Sequence, residues 1–207
     1  MNGTSPAQTL TSPTFRLFRP TDQTMRALAS SDEGADFSYP DVGSTREGGP
    51  EGWATDEQEA VVGSGKEDFE RVKEAIRAWT MFDLPWVHLV DPDGPPEPEK
   101  MVTFSSHQLG LWIVNSCRVV YMVDDVDPAE ERFGFAYGTL PGHAVAGEEL
   151  FLARWDRSTD EVWFGLQKFS RPRHFLVRMA GPVGRAIQRR FSRDAIERIR
   201  LAVQSRS

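Results

Sequence analysis

The stretch Gly134 to Glu149, G-F-A-Y-G-T-L-P-G-H-A-V-A-G-E-E, reads as a strand, a tight turn and the start of a second strand. Phe133, Phe135 and Tyr137 alternate with Gly134, Ala136 and Gly138, so one face of the first strand is bulky and aromatic and the other nearly bare. A bare face invites something else to pack there. The turn L-P-G-H presents His143, and Gly147 precedes Glu148 and Glu149, which open a second strand-like run from Leu150 to Trp155.

Working outward, short apolar runs recur between polar turns. Trp86–Val90, Met101–Ser105, Leu111–Val114, Cys117–Val123, Arg132–Thr139, Glu148–Trp155 and Glu161–Phe169 are strand candidates, separated by turns such as D-D-V-D-P and D-R-S-T-D. This is the spacing of an antiparallel meander. The proline-rich D-P-D-G-P-P-E-P-E, Asp91 to Glu99, cannot continue a ladder.

Helices flank the meander. Thr21 caps a short helix carrying Met25 and Leu28, and Glu59–Val62 reads as a short strand leading into a helix on which Phe69, Val72, Ala75, Ile76 and Trp79 share one face. Ser64 and Glu67 have the spacing of a capping box. Two helices close the chain, Pro172–Ala180 and Pro182–Val203. The second has Ile187, Phe191, Ala195, Ile199 and Val203 on one stripe and arginines opposite. Between the first two helices, Phe37, Tyr39 and Val42 suggest a brief extended piece, and Gly48–Gly52 a turn.

The fold class is therefore α+β: a curved antiparallel meander of six or seven strands gripping a long C-terminal helix, with short N-terminal helices. A meander must bury one face, and the terminal helix is the available cover. A gap between them would be a pocket lined by aromatics. Residues 1–13, rich in Ser, Thr, Pro and Gln, read as a flexible tail, and 14–207 as one domain.

Composition narrows the function. With 39% apolar and 11% aromatic residues in 207, the chain can build a sizeable core. A single cysteine, Cys117, excludes an intrachain disulfide, and no apolar run approaches the ~18 residues of a membrane span, so the expected location is cytoplasmic. The net charge of −7 is uneven: from Lys168 onward eleven basic residues face two acids. Arg185, Arg189 and Arg193 follow each other at helical spacing and could meet an anionic membrane weakly. Overall acidity argues against a nucleic-acid partner.

Known motifs are incomplete. Gly63-Ser64-Gly65-Lys66 resembles the end of a phosphate loop, but Ala60 and Glu67 stand where that loop requires glycine and a hydroxyl. His88, His107, His143 and His174 are scattered, so neither a metal nor another cofactor is expected. Ser170, in F-S-R-P, lacks the context of a nucleophile elbow and fits the start of the following helix. Cys117 fits a small core residue.

Together, G-F-A-Y-G-T-L-P-G-H with G-E-E, the upstream V-G-S-G-K-E-D-F-E-R-V-K-E-A-I-R-A-W and the downstream F-S-R-P and G-P-V-G-R-A-I-Q resemble uncharacterised protein family 0548, of bacteria and plants. The resemblance runs from about Phe15 to Val203. Members of that family look similar in layout to the helix-grip, Bet v 1-like proteins, which implies an apolar cavity between sheet and helix.

The expected function is binding of a small apolar or amphipathic ligand, with Tyr137, Thr139, His143, Glu148 and Glu149 as the ligand-binding residues. Thr139 shares the strand face of Tyr137. The alternative is an enzyme, a hydrolase, cyclase or isomerase, with His143 as acid or base oriented by Glu149 across the hairpin. A structural reading stands beside both: Tyr137 as a core aromatic, and the carboxylates satisfying turn donors or pairing with Arg118, Arg132 or Arg154.

Overall fold

The computed structural model describes residues 14–90, 92–173 and 175–205, without the side chains of Thr14 and of 175–180. The expected tail, 1–13, and His174 lie outside the described residues. The chain forms β1 (Thr14–Arg16), α1 (Asp22–Asp32), β2 (Ala54–Ser64), α2 (Gly65–Arg77), β3 (Val87–Leu89), β4 (Met101–Gln108), β5 (Leu111–Val126), β6 (Glu130–Thr139), β7 (Val145–Asp156), β8 (Glu161–Pro172) and α3 (Phe175–Gln204). All strands join one antiparallel sheet in the order β2-β8-β7-β6-β5-β4-β3, with β1 alongside the start of β5. Bulges at Val61/Gly63 and Val119/Tyr121 bend it. The meander gripping a C-terminal helix is thus the architecture observed.

Several boundaries differ from expectation, each for a local reason. β2 begins at Ala54 because Ala54–Ser64 pairs along β8 with few apolar residues to announce it. β5 is one strand rather than two, since Asn115 and Ser116 pair with Phe104 and Thr103. Phe37–Val42 forms no strand; it packs as a loop, with Ser38 N–H donating to Thr139 O. Ser170 does not start a helix: it pairs with Ala54 and Gly147 inside β8. The two terminal helices run as one element interrupted at Gly181, whose φ of 27° and ψ of −99° leave the helical region just before Pro182.

Ser64 is the N-cap of α2, but the capping box is absent. Asp68 Oδ2 accepts the Ser64 N–H at 2.9 Å, while Glu67 pairs with Arg71. Asp68 lies over Gly63, where a Cβ would stand 2.6 Å from its carboxylate, so the glycine admits the residue that replaces Glu67. α1 begins as read, Thr21 Oγ1 accepting the Thr24 N–H.

The main core lies between the inner face of the sheet and α2 with the C-terminal half of α3. Phe69, Val72, Ala75 and Ile76 of α2 are buried there, as are Ala195, Ile199 and Val203 of α3. After α2, Trp79 takes a left-handed conformation (φ 56°), the place where a glycine commonly ends a helix. The chain then reverses into a 3-10 turn, Thr80–Phe82, that drives Phe82 into the middle of the domain. Phe82 packs on Phe104, Phe151 and Phe191 at ring separations of 5.3, 5.8 and 5.6 Å. The gap expected between sheet and helix is therefore filled by aromatic side chains. No helix among the described residues is long and apolar enough to cross a membrane.

Candidate functional site

Strand alternation puts Glu148 and Glu149 on opposite faces of β7. Register then sets their neighbours. Tyr137 of β6, Glu149 of β7, Lys168 of β8 and Asp56 of β2 are successive cross-strand partners, one row across four strands.

On the inner face, Tyr137 Oη donates to Glu149 Oε2 at 2.7 Å, and Lys168 Nζ donates to Glu149 Oε1 at 3.0 Å. Lys168 also reaches α3, donating to Ser192 Oγ at 2.8 Å and Gln188 O at 3.2 Å. All three ammonium protons thus have acceptors. Tyr137, Glu149 and Lys168 are buried. Burial, then the neighbouring Glu149 carboxylate, pushes the Tyr137 phenol well above its usual range, so it remains a donor. At the outer end of the row, Asp56 pairs with the exposed Arg189 of α3 at 3.3 Å. The row runs from solvent into the aromatic core, where Tyr137 touches Phe82 and Phe151.

The open space lies beside this row. A groove of about 850 Å³ separates β2 from α3, lined by Glu57, Gln58 and Glu59 on one side and by Arg190, Arg193 and Glu197 among others on the helix. Its walls are mostly charged, unlike the apolar pocket expected. The reason is that α3 turns its apolar stripe to the core and its arginines to the groove.

On the outer face, Glu148 is also buried, but no cation among the described residues pairs with its carboxylate. Tyr39 Oη and Gly43 N–H donate to Oε2 at 2.6 and 2.7 Å, and Thr45 N–H to Oε1 at 3.1 Å. Thr45 Oγ1 donates to the same oxygen and itself accepts from Tyr121 Oη. Glu148 thereby fastens the loop between α1 and β2 onto the sheet. Phe37 and Tyr39 of that loop cover the bare strand face at Gly138, where a Cβ would lie 2.2 Å from Tyr39 Oη.

The remaining candidates do not converge on Glu149. His143 N–H closes the hairpin turn on Leu140 O, and its Nδ1 lies 3.1 Å from both the N and O of Val145. No hydrogen bond or ion pair joins His143 to Glu148 or Glu149, so the expected dyad is not formed: the carboxylates are already satisfied by Lys168, tyrosines and loop donors. Burial lowers the His143 imidazole to about 4, against the Val145 hydrogen bond that raises it. Thr139 Oγ1 is taken by Ser38 Oγ at 2.6 Å and Gly147 N–H at 2.9 Å. Asp32, at the end of α1, reaches the Gly142 amide and Ser116, and burial raises its carboxyl.

Arg118, Arg132 and Arg154 pair instead with Glu99, Asp125 and Glu59. Cys117 lies in the main core. Among the described residues no three His, Cys, Asp or Glu side chains gather as a metal-ligand set. Lys168 was absent from the sequence-based site. The signal was available: Val162, Phe164, Leu166 and Lys168 alternate along one strand, which places the lysine on the buried face.

Comparison with known proteins adds a family and no activity. A family model described as a domain of unknown function, DUF1990, matches residues 38–198. A UPF0548 protein of Deinococcus radiodurans is 35% identical over 193 residues, covering 86% of this chain and 93% of that protein. One of Arabidopsis thaliana is 34% identical over 152 residues, covering 72% and 73%. Among solved structures, Ara h 8.0201 aligns with a TM-score of 0.48 at 11% identity, over 74% of this chain and 99% of that one.

Proposed function

The chain belongs to the DUF1990 family of domains of unknown function, and from that premise we propose that it binds a small, largely apolar ligand between the sheet and α3. The ligand's polar end meets the row of Lys168, Glu149 and Tyr137, and its apolar part replaces contacts among Phe82, Phe151 and Phe191. The observation that supports this reading is the row itself: charged groups lead from Asp56 and Arg189 at the surface, next to the groove, to a phenol inside the aromatic core. A buried ion pair is a poor way to stabilise a fold, since apolar residues of similar volume often do as well or better. Its presence where the helix covers the sheet suits a site that hands hydrogen bonds to a guest.

Entry requires α3 to move. The break at Gly181 and Pro182 divides the helix, and Lys168 holds Gln188 and Ser192 on the far side of that break. A ligand oxygen that takes over a Lys168 proton would release that tie. Acid–base catalysis by His143 lacks comparable support, because no carboxylate orients its ring. We propose a cytoplasmic location, which a fold that needs no disulfide permits.

Native mass spectrometry of the purified protein tests the binding reading. The expected result is a co-purifying small mass that is lost on denaturation and much reduced in Lys168→Met. Only the bare protein mass, together with a crystal structure whose interior stays filled after incubation with a lipid and metabolite library, would overturn it.

A further inference from the structure

The three most exposed large apolar side chains described are Phe18 (84%), Leu109 (77%) and Leu17 (73%). The topology gathers them at one corner. β1 pairs with β5 so that Arg16 lies opposite Trp112, which brings Leu17 and Phe18 to the β4–β5 hairpin turn. Leu109 and Gly110 form that turn, between the partners Gln108 and Leu111, with φ of 51° and 78°.

Leucine is a poor choice there. Two successive left-handed residues mark a tight hairpin turn, whose first central position favours Asn, Asp or Gly. A leucine in that conformation is strained, and this one buries almost nothing within the chain. Neither local geometry nor the fold rewards it, which suits a side chain that is used in a contact outside the molecule.

The surroundings indicate what kind of surface supplies it. Arg16 and Arg19 flank the two exposed residues of the N-terminal segment, and Asp22 is the only acid within Thr14–Met25 and Ser106–Trp112. Asp22 is itself bonded to His88, which contacts Arg19 in turn. In a chain of net charge −7, this corner is apolar and cationic. A stable dimer buries roughly 800 Å² per partner, far more than three side chains provide, and a symmetric pairing through this corner would place like arginines together.

We propose that this corner docks on an anionic lipid bilayer, Leu17, Phe18 and Leu109 entering the interface while Arg16 and Arg19 meet the headgroups. The surface is separate from the arginine face of α3.

Vesicle flotation of the full chain tests the assignment, with phosphatidylcholine vesicles made with and without phosphatidylserine. The wild-type protein should float with the anionic vesicles only. Phe18→Ser with Leu109→Asn should reduce the bound fraction about tenfold, and Arg16→Glu should reduce it as well. Asn suits the left-handed turn, so the melting temperature of the double variant should not fall. Absence of wild-type flotation, or equal flotation of the double variant, overturns the proposal. So does a loss seen only in Arg185→Glu with Arg193→Glu, or a dimer by light scattering that the apolar substitutions dissociate.

Discussion

Lys168 Nζ stands 3.0 Å from Glu149 Oε1, two buried charges on adjacent strands held as direct cross-strand partners. Removing one charge strands the other. Lys168→Met should therefore destabilise the fold by about 3 to 5 kcal/mol. Lys168→Met combined with Glu149→Leu should recover most of that loss. Urea unfolding of the three proteins measures both, and simple addition of the two single losses would contradict the pairing.

Glu148 predicts a local effect. Its carboxylate accepts four donors from the 39–45 segment, and an amide in its place offers one acceptor oxygen and two unwanted protons. Glu148→Gln should cost about 3 kcal/mol. Hydrogen exchange should quicken at the Gly43 and Thr45 amides while α2 stays protected. Uniform loss of protection would show that Glu148 holds more than the loop.

Gly138→Ala attacks the same attachment from the sheet side. Its methyl would collide with Tyr39 Oη and the Phe37 ring. The expected cost is about 1 to 3 kcal/mol, and it should not add fully to that of Glu148→Gln, since both release Tyr39.

The hairpin predicts a pH dependence. The folded-state pKa of His143 is depressed to about 4 from 6.5, so its contribution to stability is complete above about 6.5 and lost as pH falls toward 4. His143→Gln should flatten the decline in melting temperature across that window. Asp32 acts oppositely: its raised carboxyl favours folding as pH falls. Asp32→Asn should therefore steepen the acid decline, and the two substitutions should move the curve in opposite directions.

Much of this fold is legible in the sequence. The alternation of Phe133, Phe135 and Tyr137 with small residues gave both the strand and the bare face, and Phe37 and Tyr39 now cover that face at Gly138. The stripe Ile187 to Val203 gave α3 and its orientation. What eluded reading was non-local. β2 has little apolar signal because it is an edge, and its length comes from pairing with β8. The division of labour between Glu148 and Glu149 depends on a loop a hundred residues earlier and a lysine on the neighbouring strand. No pattern in the sequence singles out Phe82, and the left-handed Trp79 ahead of it is what turns it into the interior.

The sheet does not close on itself, and β2 lies at one end of the strand order. Along its eleven residues it carries Asp56, Glu57 and Glu59 and no lysine or arginine. An unmated strand is a template for another copy, and charged side chains along it disfavour that pairing. This charged border, with Asp56 held by Arg189 and Glu59 by Arg154, should thus act as a colloidal safeguard. It should weaken as salt screens it, so concentrated solutions should self-associate at high ionic strength while the domain is still folded.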